Sequence, residues 1–113
     1  TDDIRKSPAI DIIKLLLKEG ANIRCFDPLA MDNIRKILSD LTYCQDEYDT
    51  ARNSHALVIL TEWNQFRNVD LSKIKKLLKS PILLDFRNLY EPAKAKSLGF
   101  TYEGVGRLQE KNF

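Results

Sequence analysis

The sequence predicts an α/β fold, a three-layer Rossmann-like domain with a mostly parallel sheet. Three observations predict it. Short apolar runs alternate with amphipathic helical patterns along the chain. The two strongest runs, Ala56-Leu57-Val58-Ile59-Leu60 and Pro81-Ile82-Leu83-Leu84, read as buried strands. Both switch abruptly to polar signatures, Thr61-Glu62-Trp63 and Asp85-Phe86-Arg87-Asn88. Ligands of open α/β sheets bind just beyond the carboxyl ends of the strands, so two such ends predict a binding rim.

The elements follow in order. Ser7-Pro8 is a helix start, with Ser as N-cap and Pro at the first position, where no N–H is needed. Ile10, Ile13, Leu16 and Leu17 recur at helical spacing. Gly20 supplies the stop, because glycine adopts the left-handed conformation that ends helices. A strand is expected over 22–26. Asp27-Pro28 repeats the cap-plus-proline signal, and Ile34, Ile37 and Leu38 mark the helix behind it. Residues 41–46 are ambiguous and fit a short edge strand. Glu47 to Asn53 reads as one or two helical turns, followed by the strand over 56–60. Asp70 caps a helix with Leu71, Ile74, Leu77 and Leu78 on one face. A strand at 82–85, a helix from Pro92 to Gly99 and a strand from Phe100 to Val105 complete the chain.

Composition bounds the function classes. The 113 residues make one domain, 1–113, with 43% hydrophobic and 30% charged residues and a net charge of +2. The charges are interspersed, which argues against a nucleic-acid partner. Lys73, Lys75, Lys76 and Lys79 lie between apolar residues at helical spacing and read as a solvated helix face. No run approaches the roughly 18 apolar residues of a membrane span, so no membrane partner is expected. Cys25 and Cys44 form no CxxC and have no histidine at metal spacing, which excludes the common zinc patterns. Cys25 reads as a small core residue, and the chain as a reduced cytoplasmic protein.

Few residues carry chemistry. There is no GxGxxG; Gly104 and Gly106 have no helix behind them to hold a dinucleotide phosphate. His55, the only histidine, opens a strand without the partners a general base needs, and reads as structural or surface. Asp27 sits where a ribose-binding acid would sit, but its cap role accounts for it. Trp63 fits a cleft wall or a hydrophobe covering the core edge. Arg87 stands at a strand end, where its planar fork suits a phosphate. An ion pair with Asp85 or Glu91 is the competing reading, and position alone leaves both open. Arg5 precedes the Ser7 cap, near a helix N-terminus that attracts anions.

Seven motifs in order then carry a resemblance. They are Arg5-Lys6-Ser7-Pro8-Ala9, Gly20-Ala21, Phe26-Asp27-Pro28, Leu60-Thr61-Glu62-Trp63 with Phe66, Asp85-Phe86-Arg87-Asn88, Leu98-Gly99-Phe100 and Gly104-Val105-Gly106-Arg107. Together they resemble the C-terminal, UDP-binding domain of the UDP-glucose/GDP-mannose dehydrogenase family, over nearly the whole chain. The Thr-Glu-Trp and Asp-x-Arg-Asn forms most resemble the UDP-glucose 6-dehydrogenases. The resemblance implies a four-electron oxidation of a UDP-sugar, with two NAD reduced and a cysteine thiohemiacetal on the way. It implies that Arg87 reaches the UDP-sugar, that Arg5 reaches the NAD pyrophosphate, and that the full-length enzyme is a homodimer. A sister dehydrogenase acting on GDP-mannose or a UDP-N-acetylhexosamine, and a stand-alone binding or assembly module, are the alternatives.

The departures are informative. Nothing like the family's glycine-rich cysteine motif surrounds Cys25 or Cys44, so neither is assigned as catalytic. The NAD glycine fingerprint is absent, and NAD is expected mainly on an N-terminal domain. Lys6 replaces the family's usual Glu. With the hydride-acceptor site and the nucleophile both outside it, the chain alone is expected to be inactive. The family's first strand, which ends in a Phe-Lys pair, is also missing from this chain. That strand belongs next to the strand at 22–26 or at 56–60. Its absence is expected to leave unpaired backbone groups and an apolar slot. The chain is then either less stable than a complete domain or fills the gap with a second copy.

Overall fold

The computed structural model describes residues 8–104. Helix α1, Pro8–Lys18, begins at the expected proline. It ends at Gly20, whose φ of 89° is the left-handed conformation the sequence signal requires. Strand β1, Arg24–Cys25, is shorter than the run that predicts it. Helix α2, Met31–Ile37, starts later than the cap-plus-proline signal implies. Asp27 caps a turn instead: its Oδ1 accepts from the backbone N–H groups of Leu29 and Ala30, both at 2.9 Å. The ambiguous segment forms strand β2, Thr42–Tyr43.

Asp46 caps helix α3, Glu47–Ala51, by accepting from the Asp49 N–H at 2.7 Å. Strand β3, Ala56–Ile59, leads into helix α4, Asn64–Arg67, which the sequence patterns did not predict. A four-residue helix is too short to show helical periodicity. Asp70 caps helix α5, Leu71–Leu77, through the Lys73 N–H at 3.1 Å, as its position predicts. Strand β4, Ile82–Asp85, helix α6, Pro92–Ser97, and strand β5, Thr101–Gly104, follow as expected.

Every strand pair among the described residues is parallel, so the fold is the α/β, Rossmann-like class the sequence predicts. The ladders fall into two sheets, β1-β2 and β3-β4-β5, rather than one. Two apolar clusters match this division. Leu57, Ile59 and Leu83 join residues of α3 to α6 in the larger one. Ile10 and Ile13 of α1 meet Ile34 and Leu38 of the α2 segment in the smaller.

A gap separates the two sheets. A cavity of about 720 Å³ runs between β1 and β3, under Ala9, Ile13 and Leu16 of α1. It is far larger than the voids of a packed core. The backbone on both walls is oriented into it. The Ile59 carbonyl accepts from the Phe86 N–H at 3.0 Å, so Ile59 faces β4. Successive strand residues alternate sides, so Val58 and Leu60 face the gap. On β1, the Ile23 and Cys25 carbonyls accept from Thr42 and Cys44 at 2.9 Å each, which turns Arg24 and Phe26 toward the gap. The slot expected next to the strands at 22–26 and 56–60 lies between them and borders both.

Candidate functional site

The rim begins at the carboxyl ends of β3 and β4, which are hydrogen-bonded neighbours. Ile59 and Asp85 are register partners, so the polar signatures that follow them emerge side by side. There the Arg87 guanidinium donates from Nη2 to Glu62 Oε1 at 2.7 Å. The side chains are 43% and 53% exposed, so both stand on the surface beside the strand ends. Position leaves an ion pair with Asp85 or Glu91 open as the competing reading; the carboxylate that Arg87 meets is that of Glu62. Asp85 points into the core, and Glu62 lies just beyond the end of the adjacent strand, a proximity that sequence separation conceals.

Asp85 builds the loop instead. It is wholly buried. Its Oδ1 accepts from the Arg87 backbone N–H at 3.1 Å, and its Oδ2 from the Tyr90 N–H at 3.0 Å and the Tyr102 hydroxyl at 2.8 Å. Asn88, between them, has φ 55°, a left-handed conformation that Asn tolerates better than most residues. Burial, with the Asp85 charge beside it, pushes the Tyr90 phenol above its usual range. Its hydroxyl stays protonated and donates to the Phe66 carbonyl at 2.6 Å.

Trp63 extends the rim to the other sheet. Its indole N–H donates to Asp27 Oδ2 at 3.0 Å, and its ring packs against the larger cluster. Asp27 is therefore more than a cap: one oxygen holds its own turn and the other holds Trp63 across the gap. This places the carboxyl ends of β1 and β3 together, with both strands running toward the same rim.

The other candidates have no catalytic geometry. His55 is exposed at the start of β3. Burial, and then the neighbouring Cys44, pushes the Cys25 thiol up to about 11, which makes it a poor nucleophile. Lys73, Lys75, Lys76 and Lys79 are exposed, with Lys73 4.2 Å over the Tyr48 ring and Lys75 donating to the Leu98 carbonyl at 3.1 Å. Among the described residues there is no group of three or more His, Cys, Asp or Glu side chains that could hold a metal, and no helix long and apolar enough to cross a membrane. Arg5, the candidate cofactor contact, lies outside the described residues. The strand-to-helix turns run through Asp27-Pro28, Thr61-Glu62-Trp63 and Asp85-Phe86-Arg87-Asn88. None offers the glycines that let a dinucleotide pyrophosphate approach the backbone, so the described residues do not form an NAD cradle.

Parallel strands, a charged rim at their carboxyl ends and an exposed arginine on that rim define a nucleotide-binding type of α/β domain. The model of the UDP-glucose/GDP-mannose dehydrogenase family, UDP binding domain, matches residues 1–92. The chain belongs to that family. It is 42% identical to a UDP-glucose 6-dehydrogenase of Rhizobium meliloti, over 95% of this chain and 24% of that protein. It is 37% identical to a UDP-glucose 6-dehydrogenase of Pseudomonas aeruginosa, over 95% of this chain and 25% of that protein. The crystal structure of an NDP-N-acetyl-D-galactosaminuronic acid dehydrogenase from Methanosarcina mazei Go1 superposes with a TM-score of 0.77 at 26% identity, covering 93% of this chain and 22% of that one. The chain thus spans about a quarter of the length of the relatives it matches.

Proposed function

We propose that residues 1–113 are the UDP-sugar-binding domain of an NAD-dependent UDP-glucose 6-dehydrogenase, and that Arg87 binds the nucleotide sugar. One observation carries the reading: Arg87, in a chain of this family, stands exposed at the carboxyl end of β4 and, among the described residues, carries a surface carboxylate on its fork. Exposed ion pairs contribute about 0–1 kcal/mol, so a diphosphate can replace Glu62 at little cost. The guanidinium then meets a more highly charged acceptor with matching bidentate geometry.

In this reading the chain binds and orients its ligand and performs no redox step. NAD, when bound, accepts the hydrides; it belongs to the remainder of the dehydrogenase, as does the nucleophilic cysteine. Arg5 reaches toward the NAD pyrophosphate. The remainder of the chain also contributes a strand to the gap between β1 and β3. The gap favours a strand over a small ligand because both walls present backbone groups at ladder parity. That strand would run parallel to β1 and β3, and a right-handed crossover through α1 would join it to β1. The full-length enzyme is a cytoplasmic homodimer, and the chain by itself is inactive.

The test is calorimetric titration of the complete dehydrogenase with UDP-glucose. Arg87→Ala should weaken binding about tenfold or more, the scale of a lost charge-assisted hydrogen bond. Unchanged affinity removes Arg87 from the site. Arg5→Ala should raise the NAD requirement while keeping UDP-glucose affinity. A sister activity on GDP-mannose or a UDP-N-acetylhexosamine is the second reading, favoured by the likeness to the Methanosarcina mazei enzyme. Parallel titrations with those nucleotide sugars distinguish the two.

A further inference from the structure

The buried Asp85 carboxylate ties down both ends of the loop that carries Arg87. Its Oδ1 holds the Arg87 N–H and its Oδ2 holds the Tyr90 N–H and the Tyr102 hydroxyl. The Tyr102 oxygen also lies 3.1 Å from the Tyr90 carbonyl, so its single proton is shared between that carbonyl and Asp85 at the far end of the loop. The base of the loop is held by β4, which is paired on both sides. Between the anchors, Asn88 holds the left-handed turn at φ 55°. The Arg87 backbone is therefore tethered on both sides, and side-chain torsions remain to aim its guanidinium. Ordering a loop on binding opposes affinity, and a loop ordered beforehand avoids that cost.

We propose that Asp85 is the positioning residue for Arg87: its carboxylate never meets the ligand, but holds the loop so that the guanidinium is presented to an anionic nucleotide sugar. The proposal rests on the reading of Arg87 as a ligand contact. It separates Asp85 from a merely structural acid, whose loss would lower stability without regard to Arg87.

The experiment is a double-mutant cycle in the complete dehydrogenase, with UDP as the calorimetric probe. Asp85→Asn presents one acceptor oxygen where the carboxylate presents two, so the amide must release at least one anchor. UDP affinity should fall about five- to tenfold, the scale of one lost hydrogen bond. In an Arg87→Ala background the same change should leave UDP affinity where Arg87→Ala put it, while the melting temperature falls alike in both backgrounds. No weakening in the parent background, or equal weakening in both, overturns the proposal. Arg87→Ala that leaves UDP binding unchanged defeats the underlying reading instead, and does so in a single variant. Should Asp85→Asn fail to fold, Asn88→Gly asks the same question. It keeps the left-handed backbone and loosens the loop, and should weaken UDP binding about two- to fivefold only where Arg87 is present. Unchanged binding, or weakening without Arg87, overturns the proposal.

Discussion

Arg87 and Glu62 leave neighbouring strand ends and meet at 2.7 Å, so the exposed arginine of the rim is already paired. The pair makes Glu62 a competitor for whatever anion Arg87 binds. Glu62→Gln in the complete dehydrogenase should tighten UDP-glucose binding about two- to fivefold, the range of an exposed ion pair. Stability should change by less than about 0.5 kcal/mol. Weakened binding would instead make Glu62 a ligand contact in its own right. Calorimetry and a urea midpoint read the two quantities.

The Trp63–Asp27 hydrogen bond joins the two sheets at the rim. Trp63→Phe keeps most of the apolar ring and removes the donor from a buried carboxylate. The expected loss is about 1.5–3 kcal/mol, because the acceptor is charged. The urea midpoint followed by far-ultraviolet circular dichroism measures it. A change below about 0.5 kcal/mol would show that the ring, and not the N–H, matters at this position.

Backbone parity at the gap predicts an alternating exchange pattern. In this chain by itself the Val58 and Leu60 amides, and those of Arg24 and Phe26, should exchange faster than those of Leu57 and Ile59, which face β4. In the complete dehydrogenase the two sets should be protected alike. Uniform protection in the isolated chain would mean that a second copy or another segment fills the gap. Hydrogen exchange read by NMR on the chain, and by mass spectrometry on the full-length protein, decides between these outcomes.

The Cys25 thiol gives a pH dependence of known sign. Its value in the fold, about 11, exceeds the ordinary 9.0, so the folded state keeps a proton that the unfolded state gives up. This contribution to stability is complete below pH 9 and is lost as pH rises toward 11. Cys25→Ala should flatten the decline of the urea midpoint over that window, while Tyr43 and Tyr90, also raised by burial, remain as the background. An identical decline in both proteins would refute the assignment.

Much of this architecture was legible before any coordinates. Asp70 precedes a real helix, and Pro8 and Pro92 open two more, because capping and proline act within a few residues. Asp27 misled for the same reason: its cap is real, but it closes a turn, and α2 waits until Met31. The four residues of α4 were too few to show a period. Arg87 stood out at its strand end. Its partner Glu62 did not, because the pairing crosses strands and no local pattern records it.

The sequence by itself determined the α/β order, most helix boundaries, the two polar strand ends and the family. These follow from periodicity, capping and motif spacing, all of which are local or cumulative along the chain. Only the tertiary structure decided that the sheet divides between β1 and β3, that Asp85 faces the core while Arg87 meets Glu62, and that Trp63 reaches Asp27 across the gap. The physical reason is that strand register and burial bring distant residues to hydrogen-bond range. A carboxylate's partners depend on which strands flank it, and the linear sequence does not state that order.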